Sequence, residues 1–173
     1  MASNYGPKFG FRRSDEIFSV REGRYSLPDP LEDGMQQGVA VVLPTGGTNG
    51  TLPGELALGG ANAVLGPGLG GILVQEEGHI QGDGYDVFSG YDDTTAGDVR
   101  PGRLAISWCG SGVKVWFKND GGADDLLASL PSVGDELGWN GTAWDSAATA
   151  KFMVVTEVSG SDATDAYVEA VVK

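Results

Sequence analysis

One cysteine and one histidine occur in 173 residues. A disulfide framework needs pairs of cysteines, a CxxC zinc site needs at least two, and a multi-histidine metal site needs several histidines, so these classes are excluded by count. No run of 18 apolar residues is present, which removes a membrane-spanning helix. The opening Met1-Ala2-Ser3-Asn4-Tyr5-Gly6-Pro7-Lys8 has no hydrophobic core of a signal peptide, and the expectation is a soluble chain that is not exported by the usual route. Basic residues are also scarce: 11 Lys and Arg stand against 24 Asp and Glu, leaving a net charge of −13. DNA, RNA and anionic lipid are bound through positive surface that displaces counterions, so no nucleic-acid or membrane partner is expected. What the chain has in excess is glycine, 29 residues with 8 prolines beside them. Together they are 37 of 173, a turn-rich composition still below the roughly 25–30% of a low-complexity polymer, and the length suits one domain with a buried core.

The charge is divided along the chain. Residues 1–24 carry five basic and three acidic side chains, a net of +2, whereas residues 25–99 hold 11 acids and no Lys or Arg. The aromatic residues of the basic segment follow neither a period of 2 nor one of 3.6, and Pro28 and Pro30 close it off. Residues 1–36 therefore read as an extended N-terminal arm and 37–173 as the folded domain. Phe and Arg are favoured at interfaces, so Phe9, Phe11, Arg12, Arg13, Phe18, Arg21, Arg24 and Tyr25 are the candidate contact residues. The alternative is that the arm packs on its own domain or is simply mobile, as termini often are.

The domain reads as all-β, an antiparallel barrel or sandwich of about eight or nine short strands with little helix. Val39–Leu43 and Ile72–Gln75 are short apolar runs, and the Gly-rich stretch 44–71 between them reads as a long surface loop with a short strand near Glu55–Leu58. Residues 103–109 and 112–118 alternate around Gly110-Ser111, which predicts a hairpin pairing Trp108 with Val113, Ile106 with Val115 and Leu104 with Phe117. Asn140-Gly141 predicts a second hairpin through a two-residue turn, with Trp139 and Trp144 diagonal on one face. Residues 151–158 and 165–172 alternate as two closing strands, and residues 123–130, stopped by Pro131, form the single helix candidate.

Chemical motifs are few. Gly66-Pro67-Gly68-Leu69-Gly70-Gly71 matches GxGxxG but leads into β-favouring residues, where a dinucleotide site requires a helix. His79 and Cys109 lack an orienting acid and an oxyanion motif. Asp83, Asp86, Asp92, Asp93 and Asp98 could offer oxygens to Ca²⁺, but without EF-hand spacing, and such a run also serves as a solvated surface. No catalytic residues and no cofactor are expected, and the chain reads as a non-enzyme.

The C-terminal half carries Val133-Gly134-Asp135-Glu136-Leu137, the Trp139-Asn140-Gly141 turn, Thr149-Ala150-Lys151-Phe152-Met153-Val154-Val155 and a terminal Tyr167–Val172 strand. In these features it resembles the small β-barrel capsid decoration, or cement, proteins of tailed bacteriophages over roughly residues 100–173. The resemblance implies a structural virion protein that sits on the capsid exterior after assembly in the host cytoplasm. It would act as a homotrimer that binds the major capsid protein and stabilises contacts between capsid subunits, its arm running onto the lattice. Two other readings stand beside it: another β-type virion subunit such as a tail-tube protein, and a carbohydrate- or peptide-binding module using Trp116, Trp139 and Trp144 as a stacking platform.

Overall fold

Alternating apolar residues fix which face of a strand is buried and leave its partner open, so the strand pairings carry most of the new information. The computed structural model describes residues 8–11, 21–26, 36–43, 56–75, 104–108 and 111–173, with backbone alone for residue 11, residues 21–26, 74–75 and 104–108. The described residues are all-β, with no helix. Among the described residues there are eleven strands: β1 (Phe9–Phe11), β2 (Arg21–Ser26), β3 (Ala40–Val42), β4 (Ala57–Leu58), β5 (Gly70–Gln75), β6 (Leu104–Trp108), β7 (Lys114–Lys118), β8 (Glu136–Trp139), β9 (Trp144–Asp145), β10 (Met153–Ser159) and β11 (Tyr167–Val172). They form two antiparallel sheets, one in the order β1-β7-β11-β10-β8-β9 and the other β2-β6-β5-β3-β4.

A single apolar core joins the sheets. From the six-stranded sheet come Phe9, Val115, Phe117, Leu137, Trp139, Trp144, Met153, Val155, Val168, Ala170 and Val172; Ala40, Val41, Ile72 and Leu73 come from the other sheet, with Val39 and Leu56 flanking its strands. Trp144 is its hub. The indole stacks on Phe152 at 5.9 Å, meets Trp139 edge-on at 5.2 Å and approaches Phe117 at 6.0 Å. Both buried indoles also satisfy their polar atom, Trp144 Nε1 donating to the Gly38 carbonyl at 2.8 Å and Trp139 Nε1 to the Gly59 carbonyl at 2.7 Å. A buried indole N–H needs such a partner, and these two bonds tie the six-stranded sheet to the chain around β3 and β4.

Several expectations change. The hairpin across residues 103–118 does not form: β6 pairs with β2 and β5 in one sheet, and β7 pairs with β1 and β11 in the other. Two strands that alternate in step satisfy a shared core equally well from two different sheets, which is why the pattern misled. The Asn140-Gly141 hairpin is present but slipped by two residues, with Trp139 opposite Trp144 and Gly138 opposite Asp145. Its turn is set by Asn140, whose Oδ1 accepts from the N–H of Thr142 at 3.0 Å and of Ala143 at 2.9 Å, while Gly141 takes the expected positive φ of 109°. A slip of two keeps every side chain on its face, so both tryptophans remain inside. Glu136 lies opposite Val154 and binds Lys173 at 2.9 Å.

The predicted helix at 123–130 is also replaced. Leu126 and Leu127 are both buried, Leu127 bridges Trp144, and Trp144 N–H donates to the Leu126 carbonyl at 2.8 Å. The segment is an irregular strand-like cover over β9. Of the Gly-rich stretch, residues 44–55 lie outside the described residues. Residues 56–62 are built into the fold rather than standing off as a loop: Leu56 is buried, β4 pairs with β3, and Asn62 bonds Trp139 and Thr149. The GxGxxG sequence forms a tight turn closed by Gly66 and Gly70 and enters β5, the strand context expected for it.

Candidate functional site: the anchor of the N-terminal segment

The two strands beyond the expected set, β1 and β2, both come from the segment read as an arm. β1 forms the end of the six-stranded sheet, with Phe9 opposite Phe117, Gly10 opposite Trp116 and Phe11 opposite Val115. Phe9 is 3% exposed and its ring lies 5.4 Å from that of Phe117. A large aromatic ring at the chain start, aperiodic in sequence, is thus a core residue supplied from outside the main run of strands.

Lys8 sits one residue before β1, and its carbonyl accepts from Lys118 N–H at 2.9 Å, extending the ladder. Its ammonium reaches three carboxylates, Asp120 Oδ1 at 2.5 Å, Asp125 Oδ1 at 2.6 Å and Asp124 Oδ1 at 2.8 Å. An ammonium has three donors in tetrahedral array, so this arrangement uses all of them. The receiving loop is shaped from within. Asp125 accepts from the N–H of Asp120 and of Gly121, both at 3.0 Å, and Asp120 accepts from Gly122 N–H at 3.1 Å. The ligand-capable oxygens of the three aspartates lie within 4.8 Å of one another, a spacing suited to a cation, and the Lys8 ammonium is that cation.

Asn119, 2% exposed, holds this loop from below. Its Nδ2 donates to the carbonyls of Leu127 at 2.8 Å and Ala163 at 2.7 Å, and its Oδ1 accepts from the N–H of Leu126 at 3.1 Å and Leu127 at 3.2 Å. One amide therefore fixes both the loop that grips Lys8 and the turn before β11. This competition for backbone groups is what prevents 123–130 from closing helical turns.

The electrostatics follow from the geometry. Burial pulls the Lys8 pKa down, but the hydrogen bonds its ammonium donates to Asp120, Asp124 and Asp125 outweigh it and hold the group above its ordinary 10.5. Burial pushes the Asp125 carboxyl up, while the Lys8 ammonium and the N–H groups of Asp120 and Gly121 pull it further down, to a net position below its ordinary 3.8. A lysine with a raised folded pKa stabilises the fold below its unfolded value and loses that contribution as pH rises through the folded one. An aspartate with a lowered folded pKa stabilises above its unfolded value and loses the contribution as pH falls. The anchor therefore holds from about pH 4 to about pH 10.5. Lys8→Met is expected to cost about 2 kcal/mol at neutral pH. In urea titrations across pH, its deficit against the wild type shrinks below about pH 4, as the Asp125 carboxyl of the wild type is protonated and its pairing with Lys8 is lost.

A second polar cluster lies on the outer face of the same sheet. Glu169, 2% exposed, accepts from Tyr167 O–H at 2.9 Å and pairs with Lys114 at 3.1 Å, and Trp116 stacks with Tyr167 at 6.2 Å. Trp116 is half-buried here, whereas Trp139 and Trp144 are in the core, so the three tryptophans do not form a common platform.

Of the candidate contact residues, Phe9 is packed inside the chain's own fold. Phe11, Arg21, Arg24 and Tyr25 occupy ladder positions, opposite Val115, Trp108, Ile106 and Ala105 respectively. Arg12, Arg13 and Phe18 lie outside the described residues, as do His79, Cys109 and the acids from Asp83 to Asp98. Lys8 with its three aspartates was not among the candidates. Three aspartates within six residues were the available signal, and only the pairing of β1 with β7 reveals which cation they hold. No family model, curated protein or solved structure matches the chain.

Proposed function

We propose that this is a structural protein that works by binding, a decoration protein that docks on the outer surface of an assembled viral capsid and stabilises contacts between its major capsid subunits. The observation that carries this reading is the anchoring of the N-terminal segment at two places, β1 on one sheet and β2 on the other. Between those strands in sequence lie nine residues, 12–20, that include Arg12, Arg13 and Phe18. A segment carrying two arginines and a phenylalanine and tethered at both ends loses less conformational entropy on docking than a free tail would. The remaining support is the resemblance of residues 100–173 to capsid decoration proteins and the acidic character of residues 25–99, which suits a solvent-facing body that does not self-associate away from the lattice.

Removing residues 1–24 would delete β1 and most of β2 and would confound binding with folding. The informative variant is Arg12→Glu/Arg13→Glu/Phe18→Ala, which leaves Lys8 and Phe9 in place. Co-sedimentation with purified capsids is expected to fall at least tenfold, about 1.4 kcal/mol or more, while the thermal midpoint is unchanged. Undiminished co-sedimentation would overturn the reading. If the isolated chain assembles into tubes or rings, the tail-subunit reading takes its place.

A further inference from the structure

The turn between β8 and β9 brings together the parts of a reaction within the chain. Asn140 is followed by Gly141, so the backbone nitrogen next to its side-chain amide is shielded by no Cβ. Among the described residues the Gly141 N–H makes no hydrogen bond, and the residue is only half-buried. The Asn140 side chain is turned back over that nitrogen. Its Oδ1 accepts from Thr142 N–H at 3.0 Å, from Ala143 N–H at 2.9 Å and from the Thr142 hydroxyl at 3.1 Å. An oxygen bonded to the N–H two residues on carries its own Cγ towards the nitrogen between them, the atom with which Cγ closes a five-membered ring. At the other end of the amide, Nδ2 donates to Asp145 Oδ2 at 3.2 Å.

We infer that Asn140-Gly141 is a self-modifying site, at which the asparagine is converted through a cyclic imide to isoaspartate and aspartate. Gly141 N gives its proton to solvent base and attacks Asn140 Cγ. Negative charge develops on Oδ1, at which three donors already point. The electron pair returns to re-form the carbonyl as the Cγ–Nδ2 bond breaks, and Nδ2 takes a proton from water and leaves as ammonia. Water then opens the imide. Breaking the bond from Gly141 N to Cγ gives aspartate, and breaking the bond to the main-chain carbonyl carbon of residue 140 gives isoaspartate. Nothing is oxidised or reduced, and water is the only co-reactant.

Either product undoes the turn that made it. Aspartate sets a carboxylate oxygen where Nδ2 now donates to Asp145, so two like charges face each other. Isoaspartate adds one carbon to the backbone inside a turn closed by Asn140 N–H on the Ala143 carbonyl at 3.0 Å. That turn holds Trp139 opposite Trp144, so the modification acts on the edge of the core. The inference is independent of the capsid reading, because it concerns covalent chemistry inside one hairpin.

The test incubates the full wild-type chain at mildly alkaline pH, native in one arm and unfolded in guanidinium chloride in the other. Peptide mapping over time follows amide-to-acid conversion and separates isoaspartate from aspartate. In the unfolded arm Asn140-Gly141 and the chain's second Asn-Gly pair, Asn49-Gly50, together give the rate of the bare dipeptide. Conversion at Asn140 is expected to be about tenfold faster in the native arm, where the turn holds Cγ near its nucleophile and Oδ1 among its donors. A native rate equal to or below the unfolded one would overturn the proposal. A second measurement reads the consequence without waiting for the reaction. Asn140→Asp should lower the thermal midpoint, and adding Asp145→Asn should restore it by removing the facing charge. An unchanged midpoint in Asn140→Asp, or no recovery in the double variant, would overturn the claim that the modification undoes the turn.

Discussion

Trp144→Ala is expected to destabilise the protein by about 4 kcal/mol, measured as a fall in the urea midpoint with little change in slope. The side chain is fully buried and contacts Phe117, Trp139 and Phe152, so its removal leaves a cavity that three rigid rings cannot fill. It also orphans the Gly38 carbonyl, which accepts the indole N–H at 2.8 Å. Trp116 provides the internal control. It is half-buried on the outer face and stacks with Tyr167 alone among the described rings, so Trp116→Ala should cost about 1 kcal/mol. Equal losses at the two positions would contradict the assignment of Trp144 as the hub.

Asn119→Ala is expected to cost about 3 kcal/mol although it removes no apolar surface of any size. Four backbone groups, the carbonyls of Leu127 and Ala163 and the N–H groups of Leu126 and Leu127, lose their partner at once in a place where the side chain itself is 2% exposed. Asn119→Asp is the sharper variant, because a carboxylate can accept from the two N–H groups but repels the two carbonyls. The loss should therefore extend to both loops, the one that binds Lys8 and the one containing Ala163. Amide exchange that quickens at 120–127 without quickening at 160–165 would contradict the bridging role.

How far these features could be read in the sequence depends on whether they are local. The faces of β7 and of Met153–Val155 in β10 follow directly from alternation, which a bulge between Val155 and Glu157 and the buried Glu169 of β11 then interrupt, and the turn at Asn140-Gly141 follows from the tolerance of Gly141 for its backbone angle. Partner choice did not follow: Leu104–Trp108 and Lys114–Lys118 alternate in step and look like a hairpin, yet they belong to different sheets. Register at the Trp139 turn was legible only modulo two, since a slip of two residues preserves every buried side chain. Phe9 gave no periodic signal because β1 has only three residues. Lys8 lies 112 to 117 positions from the aspartates it binds, and no local pattern reports a contact at that distance. At 123–130 the apolar and acidic spacing is compatible with a helix, and the decision is made by Asn119 and by β9, both outside the segment.

The N-terminal segment matters most, since both its place in the fold and its proposed docking role rest on β1 being a strand held by Lys8. Amide hydrogen exchange on the wild type at neutral pH tests that most directly. The N–H of Lys118, which donates to the Lys8 carbonyl, and the amides of the β1 ladder are expected to be protected, with protection at these positions falling sharply in Lys8→Met while that of β10 and β11 is kept. Free exchange at Phe9–Phe11 and Lys118 in the wild type would show a loose arm and contradict the account.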